Sequence, residues 1–157
     1  MQVHVLRLVP GDDLRVSLEA AFAELSKTHG IQAACIVSAA GSLSRAVLRY
    51  ADKPAGSDIN ASLELLMLSG TLSPDGAHLH ASVADEHGEV RGGHLLPGCI
   101  VRTTAEIVIA LLPGWDGYHG WRGHRRMGTV GFLGPRSAVR RSALRLMLQD
   151  GTASFLG

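Results

Sequence analysis

Three histidines, His78, His80 and His94, have the type and spacing to do chemistry. His78 and His80 are two apart, so on a β-strand both imidazoles project from one face. His94 follows the run Glu86-His87-Gly88, which has the composition of a short hairpin loop. If those residues form the loop with Gly88 left-handed, Asp85 pairs with Glu89. The same register sets His80 directly opposite His94, on a shared face with Cβ atoms about 5 Å apart. A two-residue loop would instead send His94 to the other face. Three neutral imidazoles with a fourth position open are a zinc-type arrangement. Nickel, iron or manganese suit the same donors. Water bound to such an ion becomes acidic, which serves hydrolysis and hydration. The alternative reading is a set of polar histidines on an exposed sheet face.

Glu106 lies in the apolar run Ala105-Glu106-Ile107-Val108-Ile109. It is a candidate general base or a support for a metal ligand, with Arg102 as a possible partner. An exposed strand face or an intersubunit ion pair would equally account for it. Glu64, between Leu63 and Leu65, invites the same two readings. His4, His29 and His87 read as surface residues, and Asp85 as a turn residue.

The elements that must position these groups are mostly short strands. Residues 3–9 alternate at strand period. Pro10-Gly11-Asp12-Asp13 is turn chemistry, and Asp12 or Asp13 can cap a helix. Leu14, Leu18, Phe22 and Leu25 recur at helical spacing, and Gly30 ends that helix. Residues 33–39 read as a buried strand, broken at Gly41-Ser42 and resumed over 43–50. A polar loop over 52–60 precedes a strand over 62–72, interrupted late by Gly70. Ser73-Pro74-Asp75-Gly76 is a turn. Residues 77–85 and 89–95 make the histidine hairpin, where Gly92 and Gly93 permit close backbone approach or a bulge. Residues 99–112 form a last long strand. One long helix packed on six to seven strands, joined largely by tight turns, implies an α+β domain with a mainly antiparallel twisted sheet.

The chain has 157 residues, a single-domain length. Its two cysteines, Cys35 and Cys99, sit in apolar runs and make no disulfide framework. The expectation is reduced thiols in a cytoplasmic protein, with neither a signal peptide nor a membrane span. Charge divides unevenly along the chain. Residues 1–112 carry 8 Lys/Arg against 12 Asp/Glu, and residues 113–157 carry 7 Arg against 2 Asp. Within the basic part, residues 136–149 have amphipathic helical spacing. Trp115, Tyr118 and Trp121 lie beside Arg122, Arg125 and Arg126, a mix of aromatics and charge as in nucleic-acid binders.

Five stretches together resemble the PPC (plants and prokaryotes conserved) domain family. They are Arg7-Leu8-Val9-Pro10-Gly11-Asp12-Asp13-Leu14, Ile36-Val37-Ser38-Ala39-Ala40-Gly41-Ser42-Leu43, and Leu63-Glu64-Leu65-Leu66-Met67-Leu68-Ser69-Gly70-Thr71-Leu72. The fourth is His78-Leu79-His80 with Val83 to Gly88. The fifth runs from Gly92-Gly93-His94-Leu95 to Thr103-Thr104-Ala105-Glu106-Ile107. The resemblance covers about residues 5–112. It implies a stand-alone prokaryotic-type domain that assembles as a homotrimer and is a candidate for DNA binding or regulation. It also implies divalent-metal binding, most simply zinc, at His78, His80 and His94. The plant members contact DNA through an Arg-Gly-Arg-Pro AT-hook, which this sequence lacks. Residues 113–157 read as a divergent basic Gly/Arg-rich C-terminal extension. A second functional class follows from the histidines themselves: a metal-dependent hydrolase or lyase acting on a small molecule at an intersubunit cleft.

Overall fold

A computed structural model describes residues 2–120 and 129–135, with side chains over 2–115. The first strand, β1 (Gln2–Leu8), leads through the expected turn into the helix α1 (Leu14–His29). Asp13 is the N-cap: its Oδ1 accepts from Arg15 N at 3.0 Å and Val16 N at 3.1 Å. Its other oxygen accepts from Gly98 N at 2.6 Å, so the cap also ties the helix start to the loop before the last core strand. Asp12 instead closes the turn by accepting from Val9 N. Gly30 ends the helix in the left-handed conformation, with φ 65°. Leu14, Leu18, Phe22 and Leu25 are its buried stripe.

The strands β2 (Ala34–Arg49), β3 (Ser57–Ser73), β4 (Gly76–Ala84), β5 (Val90–Leu95) and β6 (Ile100–Leu111) complete one antiparallel sheet with β1. Its order is β1-β6-β2-β3-β4-β5, and β5 also pairs with the end of β2. The ladder β2-β3-β4-β5 therefore closes on itself. Leu48 of β2 pairs with Ser57 on one side and Leu95 on the other. The α+β architecture expected from the sequence is the one observed. A separate two-stranded sheet joins β7 (Trp115–Gly120) to β8 (Thr129–Pro135). The expected basic helix over 136–149 and the residues Trp121, Arg122, Arg125 and Arg126 lie outside the described residues.

Two expected interruptions are absent. Gly41-Ser42 does not break a strand, because β2 runs on as one bulged 16-residue strand. Gly41 is needed where β2 pairs closely with β6 beside a bulge: a Cβ there would sit 2.4 Å from Thr104 O. Gly70 likewise stays within β3, at φ 136°, where a Cβ would sit 2.0 Å from His78 O. The polar loop is also shorter than expected, since β3 already begins at Ser57. Its polar first residues are paired in place, with Asp58 taking the Arg45 guanidinium.

The core lies inside the closed ladder and under α1. Ala77, Leu79, Ala81 and Val83 of β4 face inward, all at most 4% exposed. His78 and His80 alternate with them and face outward. Burying a Leu or Val contributes roughly 1.5–3 kcal/mol. A one-residue slip of β4 would forfeit Leu79 and Val83 together and force two imidazoles inward.

Arg15 locks the histidine-bearing strands to the helix. Its guanidinium donates to Leu95 O at 2.7 Å and Ala77 O at 3.0 Å, one residue beyond His94 and one before His78. Its Nε donates to Glu19 Oε1 at 3.0 Å, and that oxygen also accepts from Ala77 N. Replacing Arg15 by Ala would leave both carbonyls short of a donor. The expected loss of unfolding free energy in urea is about 2 kcal/mol. Arg15→Lys should recover only part of it, because an ammonium cannot reproduce the fork. An unchanged urea midpoint for Arg15→Ala would overturn this role.

Candidate metal centre

The site begins with a turn. Gly88 is left-handed, at φ 79°, and donates to Asp85 O at 3.0 Å. Asp85 N donates to Glu89 O at 3.2 Å, closing the three-residue loop. The Asp85 carboxylate fixes the loop by accepting from His87 N and Glu89 N, each at 3.0 Å. The register then runs Ala84 with Val90 down to His80 with His94, without a bulge. Gly93 is the close approach that the sequence suggests. A Cβ there would lie 2.8 Å from Arg49 O, so glycine lets β5 settle against the end of β2.

The three rings converge on the outer face. Ring centroids are 5.1 Å apart for His78 and His80, 5.3 Å for His78 and His94, and 5.5 Å for His80 and His94. One nitrogen from each lies within 4.8 Å of the others. Ligand nitrogens on a tetrahedral ion with bonds of 2.0–2.1 Å are about 3.3 Å apart. Small rotations about the side-chain bonds close that difference. His94 Nδ1 is buried and has no hydrogen-bond partner among the described residues, an unmet polar atom that a coordination bond would satisfy. Among the described residues no fourth histidine, cysteine or carboxylate joins the group. The residues therefore fit a divalent ion with an open position.

Burial and nearby positive charge favour the neutral form of His94 and His80. Burial holds the His94 pKa down to about 4, helped by the positive charge of Arg49 and by the other imidazoles. Burial also lowers that of His80, again with help from His78 and Arg49. Neutral imidazole is the metal-binding form.

A cleft of about 460 Å³ opens beside the group. Arg49, Tyr50 and Asp52 line it opposite His80, Gly93 and His94. Asp52 turns its wall with φ 59°, the one non-glycine residue with positive φ among the described residues. Sequence reasoning passed over Arg49 and Tyr50. Their place depends on β2 meeting β5, where Arg49 pairs with His94.

Other candidates lie elsewhere. Glu106 is exposed and faces Arg7 across the β1–β6 ladder, with Arg7 Nε 3.8 Å from its carboxylate. Its partner is thus Arg7 and not Arg102. Glu106 stands beside Ala40 of β2, nine residues from Arg49. The chain does not bring it to its own histidines. Glu64 is also exposed. Cys99 is buried, its thiol donating to backbone carbonyls and pushed up to about 11 by burial, so it is no nucleophile.

Comparison with known proteins agrees with this geometry. A family model described as the Plants and Prokaryotes Conserved (PCC) domain matches residues 1–113. A protein of Salmonella enterica of solved structure is 34% identical, with a TM-score of 0.75, covering 86% of this chain and 94% of its own. A metal-containing protein from Archaeoglobus fulgidus is 30% identical, with a TM-score of 0.60, covering 85% and 94%. Solved structures of candidate DNA-binding proteins from Bacteroides thetaiotaomicron and Ralstonia eutropha share the fold at 18% and 20% identity. Among curated proteins, a bifunctional protein GlmU from Synechococcus is 49% identical over 113 residues. That match takes in 72% of this chain and 17% of the curated protein's length.

The lowered His94 pKa gives metal-free protein a signed pH dependence. The unfolded chain, near 6.5, takes up this proton before the folded chain, at about 4. The associated stability is therefore full above about pH 6.5 and is lost as pH falls toward 4. Between pH 7.5 and pH 5, metal-free wild type should lose more thermal stability than a His94→Asn variant. Parallel melting curves across that range would contradict it.

Proposed function

Because the chain belongs to the Plants and Prokaryotes Conserved (PCC) domain family, we propose that it is a divalent-metal protein whose ion accepts an exogenous ligand. His78, His80 and His94 hold the ion, zinc being the simplest match to three neutral imidazoles. One observation carries this reading. The three imidazoles gather beside a cleft that His80 and His94 line, and no fourth protein ligand among the described residues closes the shell. A purely structural zinc ion is usually enclosed by four protein ligands. An ion held this way would polarise a bound water or carbonyl, as a small-molecule hydrolase or lyase requires. In such a reaction Glu106 could act as base only from another subunit, after release from Arg7.

A homotrimer belongs to the same proposal. Val3, Val5, Val37, Leu66 and Met67 are each half exposed or more, which favours cover by further subunits. Purified wild type should carry about one divalent ion per chain by elemental analysis, and a His78→Ala/His80→Ala variant should carry almost none. Light scattering should give three times the 16.6 kDa chain mass. Equal metal in both proteins would remove the metal site, and a monomeric mass would remove the trimer.

A second reading, association with DNA, is favoured by the extension over 113–157, where 7 Arg stand against 2 Asp. Residues 1–112 are net negative, with 8 Lys/Arg against 12 Asp/Glu. Arg7, Arg15, Arg45 and Arg91 are all paired with carboxylates. Duplex DNA should therefore bind through the extension, with affinity falling steeply as salt rises. Exchanging Arg136, Arg140 and Arg141 for Gln should weaken binding and flatten that slope. No binding by wild type at low salt would exclude this reading.

A further inference from the structure

We infer that the cleft beside the three histidines binds a small-molecule oxyanion, a carboxylate or phosphate, held between Arg49 and the metal ion. The inference rests on the metal reading above and adds the class of ligand. Arg49 is its centre. The end of β2 pairs Arg49 with His94, and the side chain lines the cleft half-buried. Among the described residues it makes no hydrogen bond and no ion pair, unlike Arg7, Arg15, Arg45 and Arg91. Arg102, the other arginine of the domain without a carboxylate partner, is exposed and lies away from the cleft.

A guanidinium next to a divalent ion is unfavourable when nothing lies between them. Three neutral imidazoles leave the full charge of the ion uncompensated, and Arg49 adds to it. An anion placed between the two cations reverses the sign of that interaction. It meets the open coordination position on one side and the planar fork of Arg49 on the other. The one carboxylate lining the cleft, Asp52, is exposed and forms no ion pair with Arg49, so the protein itself does not fill this role. The remaining wall suits a small molecule. Tyr50 offers an aromatic face, and the volume of about 460 Å³ lies within the usual range for such ligands.

The test uses full-length protein loaded with cobalt(II), whose visible spectrum reports changes at the ion without an activity assay. Acetate and inorganic phosphate are titrated separately at fixed pH and ionic strength. Wild type, Arg49→Gln and Arg49→Lys are compared. At least one anion should change the wild-type spectrum saturably. The Gln variant should bind that anion at least tenfold more weakly, with the Lys variant between. The anion that saturates at lower concentration identifies the ligand group. Equal affinity in wild type and Arg49→Gln, or no saturable change with either anion, overturns the inference. If Arg49→Gln fails to load cobalt, Arg49→Lys carries the comparison, and equal affinity there overturns it as well. Failure of wild type to bind cobalt would instead fell the metal reading, and this inference with it.

Discussion

The histidine site depends on the register of one hairpin. Side chains alternate along a strand, so the pairing of β4 with β5 decides which face every residue takes. Asp85 sets that pairing twice, through its backbone bond to Glu89 and through its carboxylate on two loop amides. Leu79, Val83 and Leu95 enforce it from inside, because each is buried only in this register. The chemistry and the core are thus opposite faces of one constraint. A change that moved the histidines would also expose leucines, so stability protects the site.

Register gives the face but not the depth at which the rings meet a neighbour. That comes from Arg15 and from closure of the ladder. Arg15 joins carbonyls on β4 and β5, which are separated from it by 62 and 80 residues. Fixing the start of one strand and the end of the other leaves little freedom for the segment between. Closure brings Arg49 against His94, and the missing Cβ of Gly93 lets the backbones approach. The same contact partly desolvates His94, which lowers its proton affinity and keeps its ring available to a metal.

Much of this was legible in the sequence, for identifiable reasons. The capped helix, the Gly30 stop and the histidine hairpin each rest on local rules spanning a few residues, and all three were readable. The failures lie where distant strands come together in the sheet. Gly41 and Gly70 look like interruptions because glycine often marks them. Here each is a close approach to the paired strand that admits no side chain. Arg15 reads as an ordinary helix-surface residue, since nothing local points to two distant carbonyls. Arg49 was missed for the same reason: it acquires its place only when β5 returns to β2. Glu106 is a case that local reading left open between burial and an exposed strand face. Apolar neighbours suggest burial, but strand alternation places it outside with Arg7.

Charge distribution relates these features to function. Four of the six arginines in residues 1–112 are neutralised by acidic neighbours. A surface that is net negative over residues 1–112 disfavours a polyanion such as duplex DNA. It does offer one point of positive charge, Arg49, in a cleft that His80 and His94 also line. Recognition of a small anion needs only such a point, with walls that exclude part of the water. Under the two proposed readings, residues 1–112 and the basic residues 113–157 would serve different partners.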